Sequence, residues 1–377
     1  MNELLVEWTL LREQGYLNKC LGLDVKKKIL QQYSTEYGRI DFAHELNDGS
    51  IAITELETVV DNKAKLEYCQ LQTLEYSKIA FTSKEQPQII ILIADETPER
   101  FKKQLKTFSA ENNFLFKTYS LSLVNNFYKQ LIEDAIRNSG IPLVKPVANN
   151  FTHLSCLNRF ILPFYDLEKD ELKREDFIDY FDLKSDRADS HFKVHKQMSE
   201  YFELIEDTSP SLKFSKVRLT EYGKRFRDNL NYEFAIVKNY SKAGVKRIEL
   251  SIEQKRILLE SLMNGNIGDL KGKVNILYFL RFVHLTEGVW VPRGRNLDKQ
   301  KVEFANSFLG ANYTQGTISN WLNFICTHCE ELDLVERIKT NSENDRAILS
   351  TLGSRVLGFI EMDLHLKRER AQIPLQL

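Results

Sequence analysis

The sequence has few cysteines, almost no net charge and no long apolar run, and each shortage argues against a class of protein. Its 377 residues contain five cysteines, a sparse and odd set that favours reduced thiols over a disulfide framework. The longest apolar run, Ile89–Ala94, is far shorter than the roughly 20 residues that a membrane-spanning helix needs. The first residues show no basic segment followed by a long apolar one, so we expect no export signal and a cytoplasmic location.

The amino-acid composition is that of a soluble globular protein, with 42% hydrophobic and 28% charged residues. The length allows two or three domains. A net charge of −1 does not indicate a nucleic-acid partner, but the charges are unevenly distributed. The segment Leu212–Arg247 carries ten Lys or Arg residues against three acidic ones. This segment predicts either a phosphate-binding face or a merely solvated one.

Hydrophobic periodicity divides the chain into two halves. Residues 1–140 alternate between helical and strand patterns, which predicts an α/β domain with a mixed sheet covered by helices. The predicted helices are a first one with Leu4, Leu5, Trp8, Leu11 and Leu17 on its apolar side, then Val25–Gln32, Asn62–Ala80, Thr97–Ala110 and Val124–Asn138, and the predicted strands are Arg39–Leu46, Ile51–Val59, Pro87–Ala94 and Phe114–Leu121.

A Pro-bearing linker at 141–150 is the predicted domain boundary, and helices dominate the second half. That half contains an internal repeat with an offset of 130 residues. Leu219–Arg225 and Leu349–Arg355 share the pattern L-[TS]-x-x-G-x-R. Each copy reads as a helix, a turn, a long helix, a hairpin and a final helix, an order that resembles a winged helix. We therefore predict two mainly α units, at 151–235 and at 236–377.

Three acidic residues are predicted to meet in the N-terminal domain. Glu55 and Glu57 alternate along the predicted strand, so both carboxylates point to one face. Asp41 lies on the preceding strand, and the Asn47–Gly49 turn joins the two strands as a hairpin. Such a cluster is unfavourable unless a divalent cation neutralises it, which is the arrangement that Mg²⁺ uses in phosphodiester hydrolysis. The alternative is a ribbon with acids at a solvent-exposed edge, but these acids continue an apolar face of the strand.

The segments Gly38–Asp41 and Ile53–Glu57, followed by Gln72 and Tyr76 on a helix, resemble the PD-(D/E)xK nuclease superfamily, which includes restriction endonucleases. The resemblance covers roughly residues 1–140. It implies that Asp41 and Glu55 bind Mg²⁺ and that Glu57 completes the catalytic set. Glu57 stands where most members carry Lys, although a subset of restriction enzymes has Glu there. We expect Glu57 to orient or deprotonate the attacking water.

Two further contributions follow from the resemblance. Lys63 or Lys65, at the start of the next helix, could supply the displaced cation. A glutamate of the first helix often joins such sites, and Glu7 is a more inward-facing candidate than Glu3.

The two winged-helix-like units would bind duplex DNA through a helix in the major groove and through phosphate contacts. Arg suits guanine, whereas Gln and Asn suit adenine, because each can make two hydrogen bonds to the base edge. The second unit is less basic, and protein contacts are its alternative role. The predicted DNA-binding residues are Arg187, Ser190, His191, Lys193, Lys216, Arg218, Gln315, Thr317 and Asn320.

Two other motifs have competing interpretations. The loop predicted at Trp290–Arg295 carries Arg293 and Arg295 and could clamp a phosphate or remain a solvated loop. Cys326 and Cys329 form a CxxC without a second ligand pair at zinc-site spacing, so core packing in a helix is favoured over metal binding.

Together these features predict a Mg²⁺-dependent, site-specific endonuclease of double-stranded DNA, as in type II restriction. Because cutting both strands needs two active sites, we expect a homodimer or dimerisation on DNA. The alternatives are a transposon-end or repair nuclease that acts with partner proteins, and a DNA-binding regulator whose nuclease-like domain is inert.

Overall fold

The computed structural model describes residues 1–23, 25–35, 38–79, 86–139, 153–181, 196–208, 216–230, 249–264, 273–293, 296–309, 312–339 and 344–372. The chain divides into two compact units, each with its own core. Unit 1 comprises residues 1–138 together with 298–308, and unit 2 comprises residues 139–297 and 309–377. Within the described residues, no helix is both long enough and apolar enough to cross a membrane.

Unit 1 is built on a mixed five-stranded sheet with the strand order β1-β2-β3-β4-β5. Strands β1, β2 and β3 pair antiparallel, whereas β4 runs parallel to both β3 and β5. This is the mixed sheet with covering helices that the sequence predicts. Its elements are α1 (Glu3–Arg12), α2 (Gln14–Leu21), β1 (Val25–Thr35), β2 (Gly38–Leu46), β3 (Ile51–Glu57), α3 (Lys63–Tyr76), β4 (Gln88–Ala94), α4 (Glu99–Glu111), β5 (Leu115–Tyr119) and α5 (Leu121–Ser139).

The hairpin that carries the acidic residues forms as predicted. Gly49 takes a φ of 86°, a left-handed conformation that favours glycine, and Asp48 accepts a hydrogen bond from the Ser50 backbone N–H at 2.9 Å. The register pairs Phe42 with Thr54. Strand β4 is buried on both faces except at its first residue, as its continuous apolar sequence predicts.

The prediction of a helix at Val25–Gln32 is wrong, because this segment belongs to strand β1. Helix α2 ends at Leu21, and Gly22 follows in the left-handed conformation that commonly terminates helices. Strand β1 then pairs antiparallel with β2 along the edge of the sheet, with register shifts. The segment gains its strand conformation from a partner that is distant in sequence, which local periodicity does not report.

Unit 2 contains two three-stranded sheets, with the orders β6-β8-β7 and β10-β11-β9, surrounded by helices. Every described pairing in them is antiparallel. The elements of this half of the chain are α6 (Cys156–Asp166), β6 (Glu171–Lys173), α7 (Arg174–Phe181), β7 (Ile205–Asp207), β8 (Lys216–Leu219), α8 (Glu221–Asp228), α9 (Ile252–Asn264), α10 (Lys273–Thr286), β9 (Val289–Pro292), α11 (Lys299–Leu309), α12 (Gln315–Glu331), β10 (Val335–Ile338), β11 (Asn344–Leu349) and α13 (Thr351–Gln372). Helix α11 lies in unit 1 up to Phe308.

The internal repeat has the same local geometry in both copies. Thr220 N–H donates to the Leu204 carbonyl at 3.1 Å, and Ser350 N–H donates to the Leu334 carbonyl at 3.1 Å. Glycine is required at the repeated position of the following helix because the backbone approaches closely. A Cβ atom on Gly223 would lie 1.9 Å from the Leu204 carbonyl oxygen. A Cβ atom on Gly353 of α13 would lie 1.9 Å from the Leu334 carbonyl oxygen.

Two interpretations of unit 2 are resolved by its packing. Residues Val289–Pro292 form strand β9 and pair with β11, so they are not the predicted loop. Arg293 forms an ion pair with Asp345, whereas residues 294 and 295 lie outside the described part of the chain. Cys326 and Cys329 are buried in helix α12, which confirms the prediction of core packing. The predicted linker at 141–150 lies outside the described residues.

Candidate active site

The acidic residues of the hairpin face the interior of unit 1. Asp41 on β2 and Glu55 and Glu57 on β3 are 2 to 4% exposed. Helix α1 adds Glu7, which is 1% exposed, and Glu3, which is close enough to raise the pKa of Glu57. Four carboxylates on three elements are thus removed from water in a core that also buries the polar side chains of His44 and Thr54.

The oxygens of Asp41 and Glu55 have different environments. Asp41 Oδ2 accepts a hydrogen bond from the Leu56 backbone N–H at 2.8 Å, so β3 fixes the orientation of this carboxylate. Glu55 is hydrogen bonded by Tyr76 from helix α3. Its Oε2 is buried and has no hydrogen-bond partner within the described part of the chain. A buried carboxylate oxygen without a partner is costly, so this atom is available for a ligand.

Burial and mutual repulsion shift the titration of the cluster. Burial raises the pKa of Glu55 well above its ordinary value, and the Asp41 carboxylate adds to the rise. Burial likewise raises the pKa of Glu57 to about 8, Glu3 and Asp41 contribute in the same direction, and Lys65 opposes them. In the absence of a cation, the site therefore favours protonated carboxyl groups.

Lys65 acts electrostatically on the acidic cluster, whereas Lys63 is directed elsewhere. The Lys65 Nζ donates to the Val59 carbonyl oxygen at 3.0 Å, just past the end of β3, and lowers the pKa of Glu57. Lys63 is 83% exposed and pairs with Glu67 at 3.2 Å. Helix α3 begins at Lys63, with Asn62 as its N-cap, and this places Lys65 in the first turn.

Two carboxylates of the cluster provide the type of oxygen ligand that Mg²⁺ prefers. No three His, Cys, Asp or Glu side chains in the described ranges are arranged to hold a metal ion by themselves. Mg²⁺ is typically held by one or two carboxylates, with water and substrate phosphate oxygens completing its shell. Asp41 and Glu55 fit this role, because Glu55 has a buried oxygen without a partner and each carboxylate destabilises the other.

The sequence did not decide which glutamate of helix α1 faces the acidic cluster, although the residue pattern of this helix favours Glu7. The eight residues Leu4–Leu11 are all buried, and Glu7 is the only charged residue among them. A lone acid in a helix that is apolar on every side has to face a polar feature of the core. The effect of Glu3 on Glu57 depends on the tertiary structure and has no counterpart in the sequence pattern.

The predicted phosphate contacts of the first repeat lie among acidic residues. Strand β8 carries Lys216 and Arg218, and both pair with Glu171 of β6, with Arg218 Nη2 at 3.0 Å from Glu171 Oε2. Arg218 also lies 3.6 Å from Glu206. The basic block is therefore partly neutralised by acids from other segments. The predicted base-reading residues Arg187, Ser190, His191 and Lys193 lie outside the described residues.

The predicted contacts of the second repeat lie at the start of helix α12. Thr317 N–H donates to the N-cap Thr314 Oγ1 at 3.3 Å, and Gln315 Nε2 donates to the Leu297 carbonyl at 2.6 Å. Gln315, Thr317 and Asn320 are exposed. Asn320 is thus accessible, whereas the Gln315 amide is already hydrogen bonded to Leu297, in the segment before helix α11.

Comparisons with known proteins provide one match. No family model matches the sequence, and no curated protein matches it. Among solved structures, the chain is similar to the crystal structure of a repair endonuclease from Pyrococcus abyssi, with 16% sequence identity and a TM-score of 0.22. The match covers 29% of this chain and 45% of that chain, so it spans less than half of that protein's length. A likeness of this extent carries no argument about function, which has to be inferred from the chain's own residues.

Proposed function

We propose that this chain is a Mg²⁺-dependent endonuclease that cleaves double-stranded DNA at specific sites, as type II restriction endonucleases do. The main support is the buried trio Asp41, Glu55 and Glu57 on two adjacent strands, with one carboxylate oxygen that has no partner in the described residues. A cluster of this kind is stabilised by a divalent cation, and phosphodiester hydrolysis is the reaction for which such cation sites are suited.

Each residue has a distinct role in this proposal. Asp41 and Glu55 would hold the cation, and the Leu56 backbone N–H would keep Asp41 oriented. Bound Mg²⁺ would supply positive charge that offsets the charge developing on phosphate oxygens. Glu57, with a raised pKa, would accept the proton of the attacking water. Most members of the superfamily carry a Lys where this chain has Glu57. Lys65, which lowers the pKa of Glu57, would supply the positive charge of that Lys.

The repeated units of the second half would bind the duplex and read its sequence. Each has a three-stranded antiparallel sheet beside its helices, which supports the winged-helix interpretation. Lys216 and Arg218 would exchange their acidic partners for phosphate oxygens, whereas Asn320 would contact a base edge from an exposed helical position. Cleavage of both strands would require two copies of the chain.

A cleavage and binding experiment on the full chain tests this proposal. Plasmid DNA is incubated with purified protein and Mg²⁺, and binding to the same DNA is measured in parallel. We expect discrete fragments from the wild type. Asp41→Asn and Glu55→Gln should each lower cleavage by about 100-fold or more, with DNA affinity changed less than about threefold. Glu67→Gln, which changes an exposed acid on the adjacent helix α3, is the matched control and should cleave like the wild type.

The other outcomes identify the alternative functions. Cleavage that requires added proteins would indicate a transposon-end or repair nuclease. Tight, salt-sensitive DNA binding without cleavage would indicate a regulator with an inert nuclease-like domain. If Asp41→Asn cleaves at the wild-type rate, the acidic trio is not the catalytic site.

A further inference from the structure

The end of strand β3 is held by a tyrosine from strand β5. Tyr119 is buried and belongs to the same core cluster as Leu92 and Val124. Its hydroxyl donates a buried hydrogen bond to the Glu57 carbonyl oxygen at 3.1 Å. Because β4 lies between β5 and β3 in the sheet, the tyrosine side chain spans a whole strand to reach this atom. A phenylalanine ring would fill nearly the same space, so what the hydroxyl adds is the contact with β3.

The three residues that follow Glu57 are each held through the backbone by a different segment of unit 1. The bonds run from the Ala94 N–H to the Thr58 carbonyl at 2.8 Å, from the Lys65 Nζ to the Val59 carbonyl at 3.0 Å and from the Val60 N–H to the Thr97 hydroxyl at 3.2 Å. Together with the Tyr119 contact, they attach the end of β3 to β5, to β4, to α3 and to the segment before α4. The end of β3 therefore cannot shift without breaking several hydrogen bonds.

The Tyr119 hydroxyl differs from the other three contacts because it acts on Glu57 itself. The direction of a strand side chain is set by the backbone of its own residue. A held carbonyl therefore also restricts where the Glu57 carboxylate points. On the preceding residue, the Leu56 N–H is held in turn by the Asp41 carboxylate at 2.8 Å.

We propose that Tyr119 is a positioning residue of the candidate active site, because its hydroxyl fixes the direction in which Glu57 presents its carboxylate. The inference rests on the proposed function, in which Glu57 accepts the proton of the attacking water. A general base has to lie within hydrogen-bond reach of the proton that it removes. A misplacement of about 1 Å can lower the rate by about 100-fold.

Cation and DNA binding should not depend on the Tyr119 hydroxyl. The proposed cation ligands Asp41 and Glu55 are oriented by other groups, the Leu56 N–H and the Tyr76 side chain. Loss of the hydroxyl should therefore act on kcat and leave KM and DNA affinity nearly unchanged.

Paired tyrosine-to-phenylalanine variants of the full chain test this role. Tyr119→Phe removes the hydroxyl that donates to Glu57. Tyr16→Phe is the matched control, because the Tyr16 hydroxyl accepts from the Ser120 N–H at 2.8 Å, just before α5 instead of at β3. Tyr119→Phe should lower kcat by about tenfold or more, with KM and DNA affinity within about threefold of the wild type. Tyr16→Phe should cleave within about twofold of the wild type.

The split between kcat and KM separates positioning from a merely structural role. Each variant loses one hydrogen-bonded hydroxyl, so a structural role would lower the folded fraction in both. It would leave kcat per folded molecule unchanged, and urea unfolding gives the folded fraction.

Hydrogen exchange at the Ala94 amide measures the hold on β3 without any cleavage. This N–H donates to the carbonyl of Thr58, the residue after Glu57. Its protection should fall by about tenfold or more in Tyr119→Phe and stay unchanged in Tyr16→Phe, because only the first variant loosens the end of β3.

Two results would overturn the positioning role. One is a Tyr119→Phe variant with the kcat of Tyr16→Phe, and the other is equal Ala94 protection in the two variants. A wild type that does not cleave DNA would overturn the proposed function, and the catalytic consequence of Tyr119 with it. The exchange measurement would then still decide whether Tyr119 holds the end of β3.

Discussion

At the scale of single residues, the main feature is the concentration of carboxyl groups in a buried site. Glu55 and Glu57 are removed from water and lie near Asp41, so burial and repulsion both raise the pKa values of these two glutamates. The protein accepts this arrangement although an apolar core would be more stable, which is typical of functional sites. A bound cation would offset the repulsion between the buried carboxylates. The free energy of unfolding of the metal-free protein should therefore depend on whether these groups are ionised.

We therefore expect the stability of metal-free protein to fall as the pH rises. Glu57 has a pKa of about 8 in the folded state and an ordinary value of 4.5. Its contribution is fully present below about pH 4.5 and is lost as the pH rises through about 8, because folding then requires a buried charge. The loss amounts to at most on the order of 5 kcal/mol for this residue. Urea unfolding in EDTA at several pH values measures it.

Glu57→Gln provides the control for this pH dependence. The amide cannot ionise, so the variant should be more stable than the wild type at pH 8.5 and nearly equal to it at pH 5. Glu67→Gln, an exposed change, should leave the pH dependence as it is. A wild-type stability that is flat or rising between pH 5 and 8.5 would show that the carboxylates are not buried as described.

At the scale of secondary-structure elements, the repeat is defined by a backbone contact as well as by its sequence pattern. Glu203 and Asp333 both take a left-handed conformation, with φ values of 56° and 59°, immediately before the carbonyl-bearing residues Leu204 and Leu334. The helix that follows each hairpin then approaches this carbonyl at a glycine. The conserved spacing of Leu, Thr or Ser, and Gly within the chain therefore has a packing explanation.

Alanine substitutions distinguish this contact from ordinary helix propensity. Gly223→Ala and Gly353→Ala should each destabilise unit 2 by about 2 kcal/mol or more, since the added Cβ would lie 1.9 Å from a carbonyl oxygen. Gly358→Ala on the same helix α13 meets no atom within 4 Å and should be neutral or stabilising by up to about 1 kcal/mol. Urea unfolding compares them, and equal effects at positions 353 and 358 would contradict the close approach.

At the scale of the whole molecule, unit 1 is completed by a helix from the second half of the chain. Phe308 of α11 lies edge-on to Trp8 at 4.9 Å and to Tyr128 at 6.2 Å between ring centroids. The Asn2 side chain donates to the Gln300 carbonyl at 2.9 Å. The core of unit 1 therefore depends on residues about 300 positions apart.

Phe308→Ala should accordingly destabilise unit 1. Removing a buried aromatic ring typically costs about 3–5 kcal/mol. Hydrogen exchange should show lower protection of the Leu4–Leu11 amides, because α1 loses part of its cover. Glu303→Ala on the same helix is exposed and should change stability by less than about 0.5 kcal/mol. Unchanged protection of α1 in the Phe308 variant would show that α11 does not support unit 1.

The elements with strong local signals could be predicted from the sequence. Strand β4 followed from a continuous apolar run, the β2–β3 hairpin from its Asn-Asp-Gly turn, and α12 from its apolar spacing. Strand β1 could not be predicted, because its conformation depends on pairing with β2. The short strands β6 and β9 were also not predicted, because a strand of three or four residues is too short to show a hydrophobic periodicity.

The sequence by itself determined which residues could form the site, because alternation along β3 and a turn of fixed length place Asp41, Glu55 and Glu57 on neighbouring strands. Only the tertiary structure decided that these acids are buried, that α1 buries Glu7 as well and that Glu3 and Lys65 act on the pKa of Glu57. The physical reason is that side-chain direction follows from local backbone geometry, whereas burial and charge environment depend on packing between segments far apart in the chain.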